Sequence, residues 1–392
     1  MEIIIFKKNE ISSELFNNFS FHETTDIDKL KNCEYGNFKD LDYTKGKIDL
    51  YKYNENTRRA AAKYFNEYEF VKLLCKKKVI SRAYFKLYEI IYYESIIVEK
   101  DLDCFFICEA PGGFIECVCD IRRKKNLLTK FTSISSNSIK YDKYIEENNL
   151  LYGDITNPNI INSTIIKIKN KFPYGINLIT ADGGFDVKIF NNQEILTSRL
   201  ILCEIYLALN TQKIGGMFII KFFDMFTHNS VIYYLLLCSL YDYVKIIKPK
   251  TSRNCNSERY LVCYNFHGIK QKQLLGDLFT TIKQYNLNEI NKKENYIILY
   301  PYFNFLQFEY LKKKLSSFNN LIVDKQIKTI NESIQMVINK NIYFHDLIIR
   351  IFLDKNKYTK TEKVIKYKNI LNSRIKLCTQ FLKLYNININ QI

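Results

Sequence analysis

The sequence predicts an α/β protein built on a doubly wound, mostly parallel sheet, with a mostly helical C-terminal region. Three observations predict it. Short apolar runs recur between residues 104 and 264. Segments of helix length separate most of them, and most of the runs stop at small or charged residues. A Pro-Gly-Gly turn closely follows the first run. Strands buried on both faces read as continuous apolar stretches, and alternation with helices implies crossover connections of the βαβ kind.

Residues 1–59 are polar and mixed, with no clear period, and read as an N-terminal extension. From about 60 to 100 the spacing is helical: Ala60-Ala61-Ala62, then Phe70, Leu73 and Leu74, then Tyr84, Leu87, Tyr88 and Ile91. The strands follow. Cys104 to Cys108 stops at Glu109, Phe131 to Ile134 at serines, and Leu150 to Tyr152 at Gly153-Asp154. Ile176 to Thr180 stops at Ala181-Asp182, and Met217 to Ile220, after Gly215-Gly216, stops at Lys221. Tyr243 to Ile247 and Tyr260 to Tyr264 flank a polar loop, so the final strand is expected to run antiparallel. Beyond residue 270, Phe303 to Leu315 and Tyr343 to Leu353 look helical, and the tail alternates Asn and Ile. The expected division is 1–59, 60–270 and 271–392.

Composition narrows the class. The chain has 392 residues, 47% hydrophobic and 25% charged, which excludes wholesale disorder. Its longest apolar stretch, Val231 to Leu240, is about half of the roughly 20 residues that a bilayer span needs. The opening MEIIIF is too short an apolar run for a signal peptide. A soluble intracellular protein without membrane partners is expected. Eleven cysteines without paired C-x-x-C spacing and only four histidines argue against a disulfide framework, a zinc site or any metal cofactor. The net charge of +17 favours a polyanionic partner such as nucleic acid. That inference is discounted, because the bias to Ile, Lys, Asn and Tyr is what an AT-rich genome encodes whatever the function.

Chemistry concentrates at the predicted strand ends. In Glu109-Ala-Pro-Gly-Gly-Phe114 two glycines let the backbone turn sharply, and the helix that follows offers free N–H groups. The spacing is neither G-x-G-x-x-G nor a P-loop, and a plain tight turn is the alternative reading. Glu109, Asp154 and Asp182 fall on the carboxyl rim of the sheet, where doubly wound folds collect ligands. Taken singly, each reads equally well as a helix cap. Lys221 ends an apolar strand, where an ammonium requires a partner, and a lysine so placed can have a depressed pKa and act as a base. Asp182 would hold it and partly oppose that shift. Glu258 adds a carboxylate at the last strand, and Lys86 is expected to reach the rim from the preceding helix. The plain alternative is a buried Lys–Asp–Glu salt-bridge cluster.

Five segments in order carry a family resemblance: Ser81-Arg-Ala-Tyr-Phe-Lys86-Leu87, Glu109-Ala-Pro-Gly-Gly-Phe114, Ala181-Asp-Gly-Gly-Phe185, Gly215-Gly-Met-Phe-Ile-Ile-Lys221-Phe-Phe-Asp224 and Lys248-Pro-Lys-Thr-Ser-Arg253-Asn-Cys-Asn-Ser-Glu258-Arg-Tyr-Leu-Val262. Over roughly residues 60 to 266 the chain resembles the FtsJ/RrmJ-type ribose 2′-O-methyltransferases, above all the mRNA cap branch of eukaryotes and large DNA viruses. The resemblance implies a Rossmann-like sheet that binds S-adenosylmethionine and a catalytic tetrad of Lys86, Asp182, Lys221 and Glu258. It implies a cofactor site of Glu109, Pro111, Gly112, Gly113, Phe114, Asp154 and Asp182, with Asp154 facing the adenine. Arg82, Arg253 and Asn256 are the candidates for RNA contact, supported by the basic segment 245–250. The implied substrate is the 5′ end of capped mRNA, with other capping or transcription machinery as further candidate partners. The cytoplasm, including a viral factory or virion, is the expected compartment, with the nucleus as alternative. An rRNA or tRNA 2′-O-methyltransferase and an inactive RNA-binding scaffold are the rival readings. One departure stands out: strand two ends in Ser135-Ser136-Asn137, without the acid that clamps the cofactor ribose in many methyltransferases.

Overall fold

Seven of the apolar runs become strands, and where they align decides which side chains meet. In this computed structural model the described residues are 2–7, 19–26, 36–50, 66–96, 101–136, 138–185, 190–270, 272–291, 296–301, 305–338 and 362–389. The strands are β1 (Glu2–Lys7), β2 (Phe19–Thr24), β3 (Asp103–Ile107), β4 (Lys130–Ser135), β5 (Leu150–Tyr152), β6 (Ile176–Ala181), β7 (Gln212–Phe222), β8 (Tyr241–Lys248), β9 (Arg259–Phe266) and β10 (Tyr296–Pro301). Eight of them form one sheet in the order β1-β8-β9-β7-β6-β3-β4-β5. β5, β4, β3, β6 and β7 are parallel neighbours, whereas β9 runs antiparallel to both β7 and β8. The antiparallel final strand expected from the polar loop is therefore present, and the doubly wound α/β class holds.

By its contacts the chain divides into two units. The first comprises Met1–Asn37, Ile96–Lys248 and Glu258–Asn320, and the second Phe38–Ser95, Pro249–Ser257 and Leu321–Ile392. This division is discontinuous in sequence and does not coincide with boundaries at 60 and 271. The first unit holds the sheet. Its central strands β3 and β6 are buried along almost their whole length, as strands covered on both faces must be. Val231 to Leu240, the longest apolar stretch, lies in a helix, His228–Leu240, whose residues beyond the first are all buried. A helix apolar all round belongs inside a protein core. Thr227 caps it, accepting the Ser230 N–H, while Glu194 accepts the N–H groups of Phe226 and Thr227 and the Thr227 hydroxyl. The helix Lys272–Ile290 packs on Gln193–Thr211 through the stacked rings of Tyr206 and Phe279, 5.4 Å apart.

The polar N-terminal stretch supplies two strands that its pattern did not announce. β1 pairs antiparallel with β8, and β2 forms a two-stranded sheet with β10. The C-terminal region is mostly helical as expected, with Lys272–Ile290, Phe305–Ile338 and Glu362–Leu384; β10 is its exception. The segments 60–62 and 343–353, read as helical, lie outside the described residues.

The second unit joins its helices through an aromatic cluster and holds a clamped loop. Tyr88 donates its hydroxyl proton to the Tyr385 carbonyl at 3.0 Å, and Phe381 lies against the rings of Tyr68 and Tyr385. Buried Glu89 accepts the N–H groups of Lys250 and Thr251 at 2.8 and 3.2 Å and the Thr251 hydroxyl at 3.1 Å. A loop held at its main chain in this way presents its side chains from a fixed base.

Thr227→Ala removes both the cap and the hydroxyl donated to Glu194. It is expected to lower stability by about 1–2 kcal/mol in urea unfolding; a change of only a few tenths would contradict the capping role.

Candidate active site

At the end of β3 the chain turns by means of two unusual backbone conformations. Cys108 has a φ of 58° and Gly112 a φ of 113°, both left-handed. A left-handed non-glycine residue is uncommon and carries local strain. Gly112 donates its N–H to the Glu109 carbonyl, and Gly113 opens the helix Gly113–Arg123. Ser135, at the end of β4, accepts the Ala110 N–H at 3.0 Å, so the position that lacks a ribose-clamping acid instead anchors the turn. On one side the turn is covered. A Cβ built on Gly112 would lie 2.9 Å from Ile145 Cγ1, and Asp142 donates its N–H to the Pro111 carbonyl at 2.9 Å. Glu109 is buried; its Oε1 accepts the Thr180 hydroxyl at 2.8 Å, and its Oε2 has no hydrogen-bond partner among the described residues.

The neighbouring strands bring the other groups alongside. Ala181 is paired with Ile107 and Ile220, so Asp182, the first residue past β6, and Lys221, near the end of β7, lie side by side. Lys221 donates to the Asp182 main-chain carbonyl at 2.7 Å, and its Nζ lies 3.2 Å from Asp182 Oδ1. Across the antiparallel pairing Lys221 faces Tyr260, whose hydroxyl donates to Asp182 Oδ1 at 3.0 Å. Glu258, immediately before β9, is buried, and its carbonyl accepts Lys248 Nζ at 2.8 Å. Behind the rim, Glu204 of the helix Gln193–Thr211 is fully buried and accepts the Gly183 N–H at 3.0 Å. The Lys221 ammonium also lies 5.6 Å from the centre of the Phe223 ring.

These positions set the charges. Burial works against the Lys221 ammonium, but Asp182, Glu258 and Glu204 outweigh it and hold the group above the usual lysine range. The depressed lysine considered from the sequence is thereby corrected: a strand-end ammonium among this many carboxyl groups keeps its proton. Burial and then the Asp182 charge push Glu109 well above the carboxylate range. Burial raises Glu204 to about 8, against the pull of Lys221 and the Gly183 N–H. Tyr260 is pushed well up by burial and by Asp182.

Of the residues singled out from the sequence, Glu109, Asp182, Lys221 and Glu258 belong to the first unit, with Pro111, Gly112, Gly113 and Phe114 on the turn. Phe114 is buried, its ring 5.9 Å from that of Tyr260. Asp154 is exposed after β5, and its Oδ1 accepts the Thr156 N–H and hydroxyl at 2.9 and 2.8 Å, a local turn; the cap of the helix that follows is Asn157 instead. Lys86 lies on the helix Ala83–Tyr93 of the second unit, as do Arg82, Arg253 and Asn256 on their own segments. There Arg82 and Arg253 share one carboxylate, Glu69, at 2.8 and 3.2 Å, and Arg82 also donates to the Thr251 carbonyl. Although burial opposes it, the two guanidinium groups hold the Glu69 carboxyl below its usual range. Asn256 donates its N–H to the Arg253 carbonyl.

Sequence reasoning missed Tyr260, Glu204, Thr180 and Glu69. Tyr260 follows Glu258 by two residues, so strand alternation could have placed both on one face. The lone acid in the apolar helix run LILCEIYLAL was a signal for Glu204. Among the described residues there is no group of three or more His, Cys, Asp or Glu able to hold a metal ion, and no helix long and apolar enough to cross a membrane.

Residues 79–266 match the family model of FtsJ-like methyltransferases. The chain is 37% identical over 188 residues to the Mus musculus cap-specific mRNA (nucleoside-2′-O-)-methyltransferase 1, covering 43% of this chain and 22% of that protein. It is 32% identical over 253 residues to the Caenorhabditis briggsae cap-specific mRNA (nucleoside-2′-O-)-methyltransferase 1A, covering 58% and 28%. The chain thus spans about a quarter of the length of these curated relatives. A solved ribosomal RNA methyltransferase from Plasmodium falciparum is 25% identical over 48% of this chain and 99% of that one, with a TM-score of 0.39.

The raised carboxyl groups make stability depend on pH. Glu204 binds its proton more tightly folded than unfolded, so its contribution is complete below about 4.5 and is lost as the pH rises through about 8. Urea midpoints are expected to fall from pH 5 to pH 8, and to fall less in Glu204→Gln. Equal slopes in the two proteins would refute this assignment.

Proposed function

With residues 79–266 forming an FtsJ-like methyltransferase domain, we propose that the chain transfers a methyl group from S-adenosylmethionine to the ribose 2′-OH of a cap-proximal nucleotide of capped mRNA. The observation that carries this reading is the Lys221 ammonium fixed by Asp182 at the carboxyl rim of the central strands, with Glu258 and Tyr260 beside it. The curated relatives are cap-specific mRNA methyltransferases, which supports the capped substrate.

The residues at the turn fit the cofactor. A left-handed glycine makes the sharp turn, Gly113 opens the helix that follows, and a buried Glu109 oxygen is left without a partner among the described residues. Pro111, Gly112, Gly113 and Phe114 would hold the methionine end, with Glu109 and Asp182 beside it and Asp154 towards the adenine. When bound, S-adenosylmethionine supplies a methyl group already activated on a sulfonium, so the protein has mainly to align the acceptor.

Lys221 meets the ribose hydroxyl. Because the surrounding carboxylates keep it protonated in the free chain, its role is that of a charged donor that stabilises the oxygen as the O–CH3 bond forms and the S–CH3 bond breaks, with the hydroxyl proton released to solvent. Asp182 directs the ammonium from two atoms, and Tyr260 fixes the Asp182 carboxylate from the opposite strand. Lys86 is the fourth member that the resemblance supplies. Arg82, Arg253 and Asn256 are the proposed RNA contacts; Glu69 keeps the two guanidinium groups together. The 2′-OH itself is what excludes DNA. A cytoplasmic site of action, alongside other capping or transcription machinery, is part of the same reading.

The test is cofactor-dependent methyl transfer to m7GpppN-capped RNA against uncapped RNA of identical sequence. Transfer confined to the capped RNA is expected; equal transfer would reject cap dependence, and none to either would favour a scaffold.

Lys221→Ala is expected to lower kcat by about 10²–10⁴-fold while cofactor affinity stays within about threefold; near-normal turnover would remove Lys221 from the mechanism. Gly113→Asp places a charged side chain where the backbone approaches the ligand, and calorimetry should find no cofactor binding. Wild-type affinity would contradict the proposed cradle.

A further inference from the structure

Glu204 has no part in the tetrad, yet it is the most deeply buried acid behind it. It sits in the middle of the helix Gln193–Thr211, fully buried, in the run LILCEIYLAL, where an apolar side chain would pack without any desolvation penalty. Its Oε1 accepts the Gly183 N–H at 3.0 Å. That N–H belongs to the same peptide unit as the Asp182 carbonyl, which accepts Lys221 Nζ at 2.7 Å. One planar trans group therefore carries Glu204 at one end and Lys221 at the other. A peptide unit is rigid, so holding its N–H aims its C=O. Hydrogen bonds in series also polarise one another, so the charge on Glu204 is felt at the carbonyl.

We propose that Glu204 is a positioning residue of the methyl-transfer site, acting on Lys221 through the Asp182–Gly183 peptide. The proposal rests on the reading of Lys221 as the group that meets the ribose hydroxyl. The fit between the two partners supports it: a Cβ on Gly183 would collide with Glu204 Oε1, so this hydrogen bond as built requires a glycine. The groups facing Glu204 are Lys221 from β7, Asp182 from the end of β6 and Cys108 from the end of β3. Glu109 faces Asp182, and Glu258 faces Lys221. Within this set Glu204 titrates at about 8, close to neutrality. Its anionic form strengthens the hold of Lys221 on its proton, and its neutral form relaxes it. The site thus carries a built-in pH response that is separate from the titration of Lys221 itself.

Two variants of the full chain separate geometry from charge. Glu204→Gln keeps an oxygen to accept the Gly183 N–H but cannot ionise; Glu204→Leu keeps bulk and loses the acceptor. The readouts are kcat and KM for a capped oligonucleotide across pH 6–10, and the titration of 15Nζ-labelled Lys221 followed by NMR without substrate. Glu204→Leu is expected to lose roughly 10- to 100-fold in kcat with KM little changed, as a small misplacement of a reacting group does. Glu204→Gln is expected to recover most of kcat, to lose the pH–rate inflection near 8 that Glu204 supplies, and to show the Lys221 titration displaced to lower pH. Wild-type kcat in Glu204→Leu, or an unmoved Lys221 titration in Glu204→Gln, overturns the proposal. If the wild-type chain transfers no methyl group to any RNA, the functional reading fails, and the NMR titration still decides whether Glu204 acts on Lys221. If Glu204→Leu does not fold, Glu204→Gln decides alone.

Discussion

One lysine ammonium among buried carboxyl groups organises the strand-end rim of the first unit. An unpaired charge in such a place would be expelled or neutralised. Lys221 stays because Asp182 offers it both a carbonyl and a carboxylate, and because Glu258 adds to the field. The same crowding leaves too many acids for one cation. Glu109 and Glu204 absorb that imbalance by holding their protons far above the ordinary carboxylate range. The rim is thus a set of groups whose charges are settled jointly, as coupled sites are.

Register makes the convergence. Parallel neighbours lie about 4.8 Å apart, so residues that follow paired positions leave the sheet within hydrogen-bond reach. Ala181 pairs with both Ile107 and Ile220, which delivers Cys108, Asp182 and Lys221 to one rim. The antiparallel β9 then sets Tyr260 opposite Lys221. The glycine turn lies at the same edge, between β3 and β4, next to the point where the strand order reverses. In the second unit a related logic holds at the surface: Glu69 gathers Arg82 and Arg253, and Glu89 clamps the backbone of the loop that carries Arg253.

The strands of the sheet's centre were legible because burial on both faces demands unbroken apolar runs, as in Cys104–Cys108 and Ile176–Thr180. β1 and β2 were not. Each is six residues long, and their partners, β8 and β10, lie more than two hundred residues further along the chain. No local period records a pairing of that range. At the site, Glu109, Asp182, Lys221 and Glu258 were readable as charged residues at the ends of apolar strand runs. Tyr260 was hidden inside an apolar strand, whereas Glu204 stood out as a lone acid in an apolar helix run with nothing local to say what it faces.

By itself the sequence determined the alternation of strands and helices, the glycine turn and the order of the motifs, since these depend on neighbours along the chain. Only the tertiary structure decided the protonation of Lys221, the neutral tendency of Glu109 and Glu204, and the peptide unit that links Glu204 to Lys221. A charge state follows from the summed field and burial of every group nearby in space. Those groups come from β3, β6, β7, β9 and a separate helix, and only folding sets the distances between them.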